Sequence, residues 1–344
     1  MSSAPPPRPV LSSVATDPDP RLVSTGNAGS AGNDEWWSSS ITGDQLDGLE
    51  FPPLEYLVDR VLVVGSVTLL AGPPKAGKSM LALDLALAVS CGGRALGALP
   101  VSRAGSVLLV SLDDQSRARQ QRRLRSILRG ESIPAAFTLH TEPNLGRGHA
   151  AAASLGHYLD AHPGTTLVVV DTLEHLRGVT SPGESAYSAD VRMLSDLRSV
   201  VTRHPGVTLL ILAHTRKASG EADDAISAVT GTHGVTGGAD GVLALTGQRG
   251  APRRVLDIVS RDGEDRRLVV RWTESGLALT DDDPDDPAVT LTPDDARVYR
   301  AVVELGQTTA ADLEHLNMPK IGNRLLSLAS RGYLTKVGRG AYSA

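Results

Sequence analysis

Between Phe51 and about Thr280, short apolar runs alternate with longer stretches in which apolar residues recur every three or four positions. The short runs, rich in Val, Leu and Ile, predict strands over residues 66–71, 106–112, 165–170, 207–212, 241–245, 255–259 and 268–272. The longer stretches predict helices over residues 77–90, 115–128, 149–161 and 186–202. Alternation of this kind is the mark of an α/β domain whose mainly parallel strands are joined by crossover helices. The last three runs leave no room for helices between them, so the sheet is expected to finish in antiparallel strands.

The flanks read differently. Residues 1–45 are rich in Ser, Pro, Gly and Asp and are expected to form a disordered tail, because they hold too little apolar surface to offset the entropy of ordering. Trp36-Trp37 stands out there, as a side-chain pair packed on the domain or as a short partner-binding anchor. The main domain spans residues 46–280. Beyond it, the acidic, proline-broken run Asp281-Asp282-Asp283-Pro284-Asp285-Asp286-Pro287 reads as a linker covering residues 281–290. Helical spacing over residues 294–305, 310–316 and 321–331, then a hairpin over 333–343, gives residues 291–344 the outline of a small winged-helix domain.

Composition adds limits. At 344 residues the chain is long enough for one large unit and a small one. Aromatics are 3% of residues, so Ala, Val and Leu must build the core, and a net charge of -5 gives no general attraction to polyanions. The one cysteine, Cys91, excludes an intrachain disulfide and is expected to be a buried core thiol. No run is long and apolar enough to span a bilayer, and the N-terminus has prolines where a secretory signal needs an apolar run; the expectation is a cytoplasmic protein without a membrane partner.

One motif carries specific chemistry. Gly72-Pro73-Pro74-Lys75-Ala76-Gly77-Lys78-Ser79, with Met80 next on the helix, lies between a predicted strand and a predicted helix. Glycines let the backbone turn its N–H groups onto phosphates, the helix adds the positive end of its dipole, and Lys78 reaches the β and γ phosphates. Ser79 supplies an oxygen to Mg²⁺, so the implied cofactors are ATP and Mg²⁺. A second acidic group is needed for that ion at the end of a neighbouring strand, and Leu167-Val168-Val169-Val170-Asp171 offers Asp171. Hydrolysis also needs a carboxylate to orient and deprotonate water. Asp113, after the strand at 106–112, is the candidate, with Glu174 as its rival. The strand at 207–212 runs into His214-Thr215-Arg216-Lys217, where a sensor of the γ-phosphate would stand.

Taken in order, these residues resemble the RepA-type hexameric replicative helicases, RecA-like P-loop ATPases of plasmids and phages that are kin to DnaB. The resemblance covers about residues 54–280. It rests on the P-loop, on Ser111-Leu112-Asp113-Asp114, on Val170-Asp171-Thr172-Leu173, on His214-Thr215-Arg216-Lys217, and on Gly231-Thr232-His233-Gly234-Val235-Thr236-Gly237-Gly238-Ala239-Asp240 before a strand. It implies a ring of subunits binding ATP between neighbours, with an arginine of one completing the site of the next. Arg261 matches that role best, with Arg216 and Lys217 as alternatives. It also implies a loop at about residues 218–236 that lines a central channel and grips single-stranded DNA. Here that loop has few cations, and Asp113 stands where the family usually has Glu.

Two basic clusters bear on partners. Arg117, Arg119, Arg122, Arg123, Arg125 and Arg129 crowd one predicted helix as a solvated face, a subunit-pairing face or a DNA contact. In the C-terminal unit Lys320, Arg324 and Arg331 fall on or beside the third helix, with Lys336 and Arg339 in the hairpin, a pattern that suits duplex DNA or packing against a protein. Three activities fit: a DNA helicase or translocase in replication, an ATPase that loads or regulates proteins on DNA without unwinding, and a DNA-binding regulator switched by nucleotide.

Overall fold

The computed structural model describes residues 40–178, 185–214 and 238–344. Contacts divide the chain into Met1–Pro52 and Pro53–Ala344. In the first of these, the described residues form a short helix, Gly43–Asp47, capped reciprocally by Thr42 and Gln45. That helix begins inside the stretch expected to be a tail. Trp36-Trp37 lies outside the described residues.

The second unit is built on a nine-stranded sheet. In chain order its strands are β1 (Val67–Gly72), β2 (Ser106–Ser111), β3 (Phe137–His140), β4 (Thr165–Asp171), β5 (Thr208–His214), β6 (Gly241–Thr246), β7 (Arg253–Ser260), β8 (Arg266–Thr273) and β9 (Gly276–Thr280). Their spatial order is β9-β8-β7-β6-β1-β5-β4-β2-β3. Six strands, from β6 to β3, are parallel; β7, β8 and β9 follow antiparallel. The fold is the RecA-like α/β arrangement expected, with β1 at the centre. The edge strands β3 and β9 are additions to the expected set.

Helices α1 (Lys78–Cys91), α2 (Arg117–Ile127), α3 (His149–Ala161) and α4 (Ala186–Arg203) cover the parallel part. Strand side chains alternate between two apolar layers. Leu70, Leu109, Val169 and Leu212 join Leu81, Leu85 and Val89 of α1 on one face. Leu69, Leu108, Val168 and Ile211 join Leu155 and Leu159 of α3 and Leu194 and Leu197 of α4 on the other. Both faces are buried, which is why these strands read as continuous apolar runs. Cys91 departs from expectation: it is exposed at the last position of α1, where left-handed Gly92 ends the helix.

The acidic run is no free linker. Asp282 pairs with Arg253 at 2.6 Å, Asp285 pairs with Arg267, and Asp286 pairs with Arg300 at 3.2 Å. A 3-10 turn, Pro287–Thr290, then seats Val289 against Val255 and Val269 on the sheet. These contacts explain why one compact unit runs through the predicted boundary at residue 280.

The C-terminal segment holds α5 (Pro293–Leu305) and α6 (Ile321–Ser330), with Thr308–Thr309, Ala341–Ser343 and Thr335–Gly338 as a small antiparallel sheet. Where a second helix was expected at 310–316 there is only a 3-10 turn, Glu314–Leu316. Asp295 of α5 fastens the segment: it accepts hydrogen bonds from Arg324 at 2.7 Å, Arg331 at 2.9 Å and Gln248, in the β6–β7 turn, at 3.1 Å. Gln248 Oε1 in turn accepts the Thr292 N–H at 3.2 Å.

Candidate active site

Parallel strands bring their C-terminal ends to one edge, where ligands bind in folds of this kind. Register sets Gly72 beside His214, and Ser111 beside Asp171. After β1 the chain turns through Pro73, Pro74 and Lys75, which are exposed, and enters α1 at Lys78. Lys75 and Gly77 have left-handed backbones, with φ of 67° and 116°. No side chain caps α1, so its first amides stay free for an anion. Two glycines are required by packing. A Cβ on Gly72 would stand 2.5 Å from the Leu245 carbonyl oxygen, and one on Gly77 would stand 2.7 Å from the Trp272 ring.

Lys78 is buried, and its Nζ donates to the Gly72 carbonyl at 2.7 Å and the Pro73 carbonyl at 3.3 Å, 3.2 Å from His214 Nδ1. Burial lowers its pKa, and the charges of Asp171, Glu174 and Asp113 oppose that shift. Ser79 Oγ donates to Asp171 Oδ2 at 2.8 Å. Burial raises the Asp171 carboxyl above its usual range, the Ser79 hydrogen bond opposes this, and the charge of Asp113 adds to it. A hydroxyl and a buried carboxylate without a cationic hydrogen-bond partner, side by side below an uncapped helix, fit Mg²⁺, which takes few protein oxygens and keeps waters and phosphates. Among the described residues no cluster of three His, Cys, Asp or Glu offers another metal site.

The structure distinguishes the two rival carboxylates by their surroundings. Asp113 is exposed and unpaired among the described residues, whereas its neighbour Asp114 is held by Arg119 at 2.9 Å and Arg123 at 3.0 Å. Glu174 Oε1 accepts the His214 N–H at 3.3 Å, and Oε2 is buried with no partner. Burial alone would raise the Glu174 carboxyl; hydrogen bonds from Thr172 and from the backbone at Glu174 and His214 hold it below its usual range.

Arg261 is not brought to this edge. It follows β7, and its N–H donates to the Asp240 carbonyl at 2.8 Å. Asp240 in turn accepts from the Val67 N–H at 2.9 Å, at the start of β1. The five residue steps from Val67 to Gly72 put about 17 Å of strand between Arg261 and the P-loop of its own chain. Thr215, Arg216 and Lys217, the loop 218–236 and residues 231–237 of the glycine-rich segment lie outside the described residues.

Sequence reasoning missed the residues that brace the P-loop. Arg254, 3% exposed, donates to the carbonyls of Ala76 at 3.2 Å, Ala251 at 2.8 Å and Arg253 at 2.7 Å. A doubled arginine opening an otherwise apolar strand, and a lone Trp272 at the end of the next, were the available signals. On α2, Arg117 pairs with Glu142 at 3.0 Å, and Arg119 and Arg123 bind Asp114. Arg122, Arg125 and Arg129 are exposed on one face with no partner among the described residues. Arg324 and Arg331 are tied to Asp294 and Asp295, leaving Lys320, Lys336 and Arg339 as the exposed cations of the C-terminal basic set.

No helix among the described residues is long and apolar enough to cross a membrane. A solved structure of a helicase ATPase domain is similar over 63% of this chain and 85% of its own, at 14% identity and a TM-score of 0.50. A RadB recombinase structure covers the same share of this chain and 92% of its own, at 19% identity and a TM-score of 0.45. Comparison with curated proteins gives no match. The AAA domain family AAA_25 matches residues 38–220, over half of the chain, and with the P-loop standing at the edge of a RecA-like sheet the protein belongs to that family.

Proposed function

We propose that this protein hydrolyses ATP in support of work on DNA, as a ring-forming helicase or translocase of the RepA type in the replication of a plasmid, phage or mobile element. The observation that carries the ATPase reading is the triad Lys78, Ser79 and Asp171, gathered below the uncapped start of α1. On this reading the amides of the P-loop bind the β-phosphate, and Lys78 leaves the carbonyls of Gly72 and Pro73 for the β and γ oxygens. Ser79 and Asp171 hold Mg²⁺, which when bound neutralises charge on the phosphates. Asp113, open to solvent, orients and deprotonates water; Glu174, fixed to the His214 amide, is the alternative. His214 beside Lys78 senses the γ-phosphate.

The position of Arg261 supports action on a neighbour: a side chain on the opposite edge of the sheet serves another subunit's nucleotide or none. The C-terminal segment, read as a winged helix, keeps Lys320, Lys336 and Arg339 for duplex DNA or a protein partner. The fold likeness to an ATPase domain is consistent with hydrolysis. Turnover of ATP is measured with and without single-stranded DNA, beside the native mass. Turnover that Lys78→Ala removes, stimulation by DNA and a hexameric mass are the expected results; a wild type no faster than Lys78→Ala would overturn the enzyme reading. An active but unstimulated monomer would favour the second reading, an ATPase that loads or regulates other proteins on DNA.

A further inference from the structure

Arg254 is a buried cation with no carboxylate beside it, an expensive arrangement for a charge. Its three acceptors are carbonyl oxygens, and one of them, Ala76 O, belongs to the P-loop. In a trans peptide the carbonyl and the following N–H point in opposite directions across the plane. Whatever holds the Ala76 carbonyl towards β7 therefore aims the Gly77 N–H the other way. That N–H donates to no group among the described residues. Gly77 itself is held from the same side, since Trp272 of β8 leaves no room for a Cβ there. The β6–β7 turn is fixed against the guanidinium as well: a Cβ on Gly247 would stand 2.7 Å from Arg254 Cδ.

We propose that Arg254 is a positioning residue for nucleotide binding: by fixing the Ala76 carbonyl it aims the Gly77 amide at the β-phosphate and brings a buried positive charge to the phosphate loop. The proposal rests on the ATPase reading above and adds to it a determinant from the antiparallel part of the sheet, outside the P-loop motif. It also accounts for a charge left without a counter-ion in the protein, since the bound phosphates supply one. Lysine replaces a planar fork by a single point donor and can keep one of the three bonds.

The test uses the full-length chain with ADP and Mg²⁺ as the probe, comparing wild type, Arg254→Met and Arg254→Lys. Arg254→Met is expected to weaken ADP binding about tenfold or more and to raise KM for ATP with kcat within a few-fold, because Lys78 and Asp171 stay in place. Arg254→Lys is expected to fall between the two. The ¹⁵N-labelled Gly77 amide adds a readout that loss of packing alone would not move. Its proton resonance should shift downfield on ADP binding in the wild type and far less in Arg254→Met. If Arg254→Met fails to fold, the same comparison is made with Arg254→Lys alone. Affinity within twofold of wild type and an unchanged Gly77 shift in the folded variant would overturn the proposal. A wild type that binds no ADP would instead overturn the ATPase reading on which it stands.

Discussion

Asp171 and Asp295 are equally hidden, each about 6% exposed, yet their surroundings treat them in opposite ways. Asp171 receives one hydroxyl, from Ser79, and burial leaves its carboxyl easier to protonate than usual. Asp295 receives two guanidinium groups and an amide; against the effect of burial, Gln248, Arg324 and Arg331 hold its pKa below the usual range. A buried carboxylate with its bonds filled fastens structure, whereas one left short of positive charge is suited to a cation that arrives with a ligand. The same residue type, equally inaccessible, thus marks a site at one place and a clasp at the other.

Substitution separates the two. Asp171→Asn is expected to lower kcat/KM for ATP by about 10³-fold while leaving the thermal midpoint unchanged or raised, since it removes an underpaired charge. A fall in midpoint with normal turnover would reverse the assignment. Asp295→Asn should do the converse and destabilise by about 2–4 kcal/mol in denaturant melts, with ADP affinity within a few-fold of wild type.

Asp84 on α1 sharpens the contrast as a third case. It has a single backbone partner, the Leu96 N–H at 2.5 Å, and burial pushes its carboxyl up to about 6. The folded chain therefore binds that proton more tightly than the unfolded one, and stability declines as pH rises from about 4 to about 6. Asp84→Asn should recover on the order of 2 kcal/mol at neutral pH and almost nothing below about pH 4. Asp295 runs the other way, its contribution being present above the usual carboxylate range and lost as pH falls through its lowered pKa. Melts across pH of the wild type, Asp84→Asn and Asp295→Asn check both slopes. Gln248→Ala, which removes one donor and one acceptor at the clasp, is the smallest change, at about 1 kcal/mol by the same melts.

The central sheet was legible because burial on both faces writes itself as unbroken runs such as Leu167-Val168-Val169-Val170. The P-loop was legible because its glycines answer a backbone need that no other residue meets. The edge strands Phe137–His140 and Gly276–Thr280 were not, being short and half-covered, with no run long enough to rise above loop composition. Arg254 was hidden for another reason: its acceptors are main-chain carbonyls, and carbonyls leave no trace in the residue types. Acidic residues misled at 281–287, where like charges in sequence turned out to face Arg253, Arg267 and Arg300 in space.

The seating of Val289 on Val255 and Val269 has a practical corollary for anyone who divides this chain. Cutting after Thr280 follows the composition, but it would strip the cover from two fully apolar positions on the outer side of the sheet. It would also leave Arg253 and Arg267 without their acidic partners in that run. The fragment would carry a new sticky patch beside uncompensated positive charge, and would tend to self-associate or precipitate for reasons unrelated to the biology of the intact protein.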